Sequence, residues 1–213
     1  MRLVALVVVA VVLAAGAAAA APSPPAFDAT VSPARWPELR FSYREGCPVG
    51  PEDLRTVRLR YWGFDGRSRV GSLVVNRRVT GEITAVFRRL YAARFPIRRM
   101  VPVSAYRGSD SASTRADNTS AFNCRPAVGS ATGSWSMHAF GLAIDVNPVE
   151  NPYVLRGRAL PPAGARYLDR TRAQPGMAVE GGVLVRAFDA VGWGWGGRWA
   201  GTPDYQHFST NGR

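Results

Sequence analysis

From Leu54 to Asn76 the chain sets two apolar-rich runs, LRTVRLRYW and RSRVGSLVVN, on either side of GFDG. β-Branched and aromatic residues flanking a Gly/Asp cluster predict two strands joined by a turn at residues 63–66. The period then changes. Val79, Ile83, Val86, Phe87, Leu90 and Tyr91 recur at helical spacing, so NRRVTGEITAVFRRLYAARFP predicts a helix capped by Asn76 and stopped by Pro96. IRRMVPVSA, residues 97–105, reads as another strand. Residues 106–137 are rich in Ser, Asp, Asn and Gly and show no period, which predicts a long loop of the functional kind. FGLAIDVN reads as a strand, followed by a Pro/Gly-rich connection to about Gly176. A short helix over residues 182–191, a Trp/Gly loop over 192–199 and a last strand over 205–209 complete the pattern. The class is α+β, with helices packed on a small antiparallel sheet.

The ends add location. Met1-Arg2 precedes an apolar run from Leu3 to Ala21 broken only by Gly16, and alanines lead up to Pro22. This predicts a secretory signal peptide over residues 1–21. An uncleaved anchor is the alternative, since a bilayer is crossed by about 20 apolar residues. Residues 22–40 are rich in Pro, Ala and Ser and read as a linker; residues 41–213 form one domain without internal repeats, expected to be monomeric. Cys47 and Cys124 are the two cysteines of the chain, and export predicts that they form a disulfide. Zinc binding by the pair is the poorer reading, because they are distant and lack a CxxC spacing.

The formal net charge is +12, and every basic residue is arginine. The arginines are scattered rather than gathered into a tract, so charge alone makes no nucleic-acid site. A basic exported protein suits an anionic bacterial cell wall, through an attraction that salt weakens.

The chemistry gathers around the two histidines. His138 precedes Asp145 by seven residues, and Asp204 precedes His207 by three. Two imidazoles and a carboxylate are ligands that zinc accepts at about 2.0–2.2 Å, and three protein ligands leave a fourth position for water, the mark of a catalytic site. Such water reaches a pKa of about 7. A general base must still take its proton and pass it to the leaving amine, and Asp204 is the nearest carboxylate. The bland alternatives are a satisfied core histidine and a turn-capping Asp145.

SMHAFGLAIDVNP resembles the first metal motif, His-x6-Asp, of the zinc peptidases related to D-alanyl-D-alanine carboxypeptidases, and PDYQHFS resembles their second, Asp/Glu-x-x-His. The likeness runs through DNTSAFNCR, NPYV, PGM and GWGWGG, roughly residues 45–210. The most similar subgroup includes the L-alanyl-D-glutamate endopeptidases of phage lysins and wall remodelling. The resemblance implies the fold shared by DD-peptidases and hedgehog signalling domains. It implies that His138, Asp145 and His207 bind one Zn2+ and that Asp204 is the catalytic acid/base, a place where the carboxypeptidase branch commonly has Glu. It also implies an arginine upstream of the first motif that holds the substrate carbonyl or carboxylate. Arg107, in SAYRGSD, matches that context more closely, and Arg125, in FNCR, is the other candidate. The cysteine pair would then tie the start of the domain to the loop carrying Arg125. Trp193, Trp195 and Trp199 wall a groove or pack in the core. Asn118-Thr119-Ser120 matches a glycosylation acceptor.

The function so implied is an exported zinc peptidase that cuts the peptide stem of peptidoglycan, associated with the wall or secreted. The alternatives are a D,D-carboxypeptidase that trims terminal D-Ala and a non-catalytic wall-binding protein of the same fold. No nucleic-acid partner is expected, and a membrane only if the N-terminal segment is retained.

Overall fold

In a computed structural model, which describes residues 25–128 and 133–213, the chain begins to pair earlier than composition predicts. The expected signal peptide, residues 1–21, lies outside the described residues. Strand β1 (Ala29–Pro33) and the single-turn helix α1 (Trp36–Leu39) fall within the stretch that reads as a linker. β1 is largely exposed, so it has no apolar alternation to betray it. It pairs antiparallel with β2 (Leu54–Trp62), from Ala29 opposite Leu59 to Pro33 opposite Arg55. That pairing supplies ladder partners to an edge that would otherwise stay open.

The predicted hairpin is present. β2 pairs with β3 (Ser68–Asn76) from Leu54 opposite Asn76 to Trp62 opposite Ser68. Helix α2 (Thr80–Ala92) follows, and the side chains read as its apolar face, Ile83, Val86, Phe87, Leu90 and Tyr91, are buried. The Asn76 side chain accepts a hydrogen bond from Arg78 N at 3.1 Å, which caps the turn that enters the helix.

The strand expected over residues 97–105 is only two residues long, β4 (Arg99–Met100). Pro102 carries no backbone donor and the next four residues coil into a 3-10 turn, so the ladder cannot continue. The long loop also holds structure that its polar composition hid. Helix α3 (Asp110–Arg115) is capped by Ser109 Oγ, which accepts from Ala112 N at 3.2 Å. β5 (Asn118–Thr119) then pairs in parallel with β4. Asn118 is fully buried and its amide donates to Val101 O and Ser113 Oγ, both at 2.9 Å, so it is no glycan acceptor.

Beyond it come β6 (Ala143–Asp145), the small hairpin of β7 (Tyr153–Leu155) and β8 (Arg158–Leu160), helix α4 (Val183–Asp189), β9 (Gly194–Trp195) and β10 (His207–Ser209). The class is α+β as read. Instead of one small sheet there are two three-stranded antiparallel sheets, ordered β1-β2-β3 and β6-β10-β9, because β10 pairs with β6 and β9 and not with the hairpin.

The core joins the two sheets. Val57, Leu73, Phe87, Ile144, Phe188 and Phe208 belong to one buried cluster. Phe208 stacks on Phe188 with ring centroids 4.1 Å apart and an interplanar angle of 14°. Burying each such side chain contributes about 1.5–3 kcal/mol. A second cluster of Leu39, Val49, Leu54, Val74 and Phe122 packs beside Cys47 and Cys124, which form the expected disulfide with their Cα atoms 5.9 Å apart. Among the described residues no helix is long and apolar enough to cross a membrane.

Candidate metal centre and cleft

β6 and β10 lie side by side, and their register sets His207 opposite Asp145. This closes a 62-residue gap by backbone pairing alone. His138 stands on a 3-10 turn, residues Met137–Phe140, just before β6, and Ser136 Oγ accepts from its backbone N–H at 3.3 Å. The turn ends at Gly141 with φ of 67°, where a Cβ would meet Asn76 N at 2.6 Å. Asn76 N donates to Gly141 O at 2.9 Å, and its side-chain amide donates to Phe140 O at 3.2 Å. The end of the first sheet therefore clamps the histidine turn of the second.

Three ligand-type residues converge. His138 Nε2 lies 3.1 Å from Asp145 Oδ2, His207 Nδ1 lies 3.1 Å from Asp145 Oδ1, and the two nitrogens are 3.2 Å apart. All three residues are buried. The remaining ring nitrogens settle the tautomers. His138 Nδ1–H donates to Ala121 O at 2.6 Å, and His207 Nε2–H donates to Arg213 O at 3.3 Å. Each histidine thus turns a lone pair toward the other and toward a carboxylate. Four electron-rich atoms, the two nitrogens and both carboxylate oxygens, repel at that spacing unless a cation sits among them. Ligands bonded at about 2.0–2.1 Å to a tetrahedral ion stand about 3.3 Å apart, so the set fits zinc in both spacing and chemistry. Burial pushes the Asp145 carboxyl up; when the metal-free site instead holds protonated imidazoles, the charge of His138 and His207 and the hydrogen bonds they then donate outweigh burial and hold the carboxyl well below the usual carboxylate range.

Asp204 shares the cavity with this trio. Its backbone N–H donates to Gly196 O at 2.9 Å, and its carbonyl accepts from His207 N at 3.3 Å, so one turn aims both side chains. Its Oδ1 is buried and has no hydrogen-bond partner among the described residues. Burial first, and the nearby Asp145 charge second, push its carboxyl up to about 7. A carboxyl with one unpartnered oxygen among the described residues, pushed up to about 7 beside a metal-binding set, has the properties of a proton carrier.

The cavity measures about 480 Å3. Of the two candidate arginines, the structure brings only Arg125 to it. Arg125 Nε donates to Asp110 Oδ1 at 2.8 Å and Nη1 donates to Pro126 O at 3.3 Å. Its charge is felt at Asp204, whose carboxyl it lowers. Arg107 does not line the cavity; its guanidinium carbon lies 5.6 Å from the Phe41 ring centroid. The disulfide ends at Cys124, the residue before Arg125, and so braces that wall. Of the three tryptophans, Trp193 and Trp195 are core residues, while Trp199 lines the cavity with its ring 5.4 Å from that of His207.

Other walls were missed by sequence reading: Tyr153, Trp135, Asp110, Gln206 and the Leu160–Pro162 edge. Tyr153 carried a signal, since it stands in NPYV, and its backbone bridges Asp204. Gln206 and Asp110 likewise stand in PDYQHFS and SAYRGSD, whereas Trp135 and the Leu160–Pro162 edge carried none. No curated protein and no solved structure matches the chain. A family model does: that of D-alanyl-D-alanine carboxypeptidases matches residues 129–210, the segment that carries His138, Asp145, Asp204 and His207, and it is the family that the two motifs resemble.

Proposed function

We propose that this protein is an exported, zinc-dependent peptidase that hydrolyses an amide bond in the peptide stem of bacterial peptidoglycan. The observation that carries the reading is the convergence of three buried lone-pair donors beside Asp204, whose Oδ1 lacks a partner, in one cavity. The family match supports the substrate class, and the disulfide is in keeping with export. His138, Asp145 and His207 would hold the ion, each with its orientation fixed by a backbone carbonyl or a strand register. When bound there, zinc supplies Lewis acidity to a carbonyl oxygen and to water.

Asp204 acts as the base. It takes a proton from the attacking water and delivers it to the leaving nitrogen as the carbon–nitrogen bond breaks. Arg125, in the same cavity, offers its guanidinium to the oxygen on which negative charge develops, and Asp110 keeps that guanidinium from swinging away. The formal charge of +12 draws the enzyme to an anionic wall.

The family's description favours a second reading, removal of a terminal D-Ala. Digestion of defined muropeptides with and without chelator, read by mass spectrometry, tests both. Chelator-sensitive cleavage is the expected result, and the fragment masses distinguish an internal bond from a terminal one. If folded, zinc-loaded protein cleaves no stem, the peptidase reading fails in favour of a wall-binding protein.

A further inference from the structure

Next to the cavity lies a shallow groove of about 250 Å3, bounded by Phe41, Tyr43, Arg44, Gly108, Asn123 and Arg125. The two share a wall. Arg125 lines both, and Arg44 in the groove lies with its guanidinium carbon 5.5 Å from the ring centroid of Trp135, a wall of the cavity. Arg40 and Arg107 do not line the groove, but their guanidinium carbons stand 4.9 and 5.6 Å from the ring centroid of Phe41, a groove residue that is 43% exposed.

This concentration of charge is not balanced from within. Arg125 pairs with Asp110, but among the described residues Arg40, Arg44 and Arg107 form no ion pair with a carboxylate. Nor is the groove loosely built. Phe41 N donates to Ser104 Oγ at 3.2 Å, and Ser104 Oγ donates to Pro37 O at 3.1 Å. Gly108, at φ of 74°, places the Arg107 turn so close to Phe41 that a Cβ would lie 2.0 Å from its carbonyl oxygen. The Cys47–Cys124 disulfide ties the segment after Arg44 to the segment before Arg125. Cations held on aromatic faces and left without a carboxylate partner attract an anion that comes near them.

We infer that this groove is a second subsite, which takes a carboxylate-bearing stretch of the stem peptide outside the scissile bond. The inference rests on the peptidase reading above for the identity of the ligand. Guanidinium groups match planar carboxylates, and the wall shared at Arg125 sets the groove beside the cavity, within reach of one extended peptide. A wall phosphate polymer would meet the same charge but has no reason to enter the cavity.

The test measures binding by calorimetry, at low salt, of a synthetic stem peptide with free carboxylates and of the same peptide fully amidated. The proteins are the wild type, Arg44→Glu, Arg44→Gln and Arg89→Glu, the last an exposed α2 position that matches the net charge change away from the groove. Arg44→Glu is expected to weaken the free-carboxylate peptide about tenfold, the scale of turning an exposed ion pair into a like-charge pair, and Arg44→Gln about threefold. The amidated peptide and Arg89→Glu should change less than about twofold, and added salt should erase the Arg44 effect. Equal effects of Arg44→Glu and Arg89→Glu would reduce the groove to general steering and overturn the subsite. So would Arg44-dependent binding of poly(glycerol phosphate) without any for the peptide, or no peptide binding at all. Cleavage is scored separately, on the wild type and on Arg44→Glu. Arg44-dependent peptide binding without cleavage sinks the peptidase reading and leaves the subsite standing; cleavage indifferent to Arg44 does the reverse.

Discussion

Asp204→Asn is a substitution for which the structure predicts opposite effects on stability and on rate. The carboxyl is buried, its Oδ1 has no partner, and burial with the Asp145 charge pushes it up to about 7 from an ordinary 3.8. The folded, metal-stripped protein therefore binds this proton more tightly than the unfolded chain does. The resulting penalty is absent below the unfolded value, grows between about pH 4 and 7, and is complete above. At 1.36 kcal/mol per pH unit, its upper bound is about 4 kcal/mol. Asparagine removes the charge but leaves a buried amide short of partners, at a cost of about 1–3 kcal/mol. The net gain expected at pH 8 is at most about 1–3 kcal/mol, or a Tm rise of at most about 2–12 °C for a domain of this size. At pH 4 the gain should vanish or reverse. Activity moves the other way, because loss of a general base costs about 10²–10⁴-fold. Thermal melts of chelated protein at the two pH values, with cleavage and zinc content of the loaded protein, check all three expectations. A variant that stays active, or that shows the same Tm change at pH 4 and pH 8, would refute the reasoning about Asp204.

Three further outcomes follow from the same geometry. His207→Ala should lower bound zinc from one ion per chain to none by metal analysis, while circular dichroism keeps the signature of the two sheets. Gly141→Ala puts a Cβ 2.6 Å from Asn76 N at a φ of 67°, so it should lower stability by about 1–3 kcal/mol and weaken zinc binding by shifting the His138 turn, as read by melts and a zinc titration. Cys47→Ser opens a cross-link spanning 77 residues; a loss of about 2–4 kcal/mol in urea unfolding is expected, with a rise in KM from the freed Arg125 wall.

Legibility followed range. The hairpin of β2 and β3 and the α2 face were readable because each is a local pattern: a turn between two β-rich runs, then apolar residues at a 3.6 period. β1 was not, since its exposed residues alternate with nothing and its only warrant is the edge of β2. α3 was hidden for a related reason. DSASTR is polar but for Ala112, and what holds it is a Ser109 cap and one buried serine rather than an apolar stripe. The metal ligands were legible as residue types at known spacings, but the arginine was not. Resemblance of local context favours Arg107, whereas the structure brings only Arg125 to the cavity, beside Asp110.

By itself the sequence determined the ingredients: two histidines each with a carboxylate at short separation, two cysteines, an amphipathic helix and a β-hairpin. Tertiary structure decided which of them meet. Only the pairing of β6 with β10 sets His207 against Asp145, and only the Ala121 and Arg213 carbonyls choose which ring nitrogens face inward. The raised Asp204 carboxyl likewise depends on burial among residues distant in sequence. Spacing along a chain limits which side chains are able to meet; direction, tautomer and local dielectric are properties of the packed neighbourhood, and these are what turn four polar residues into a site.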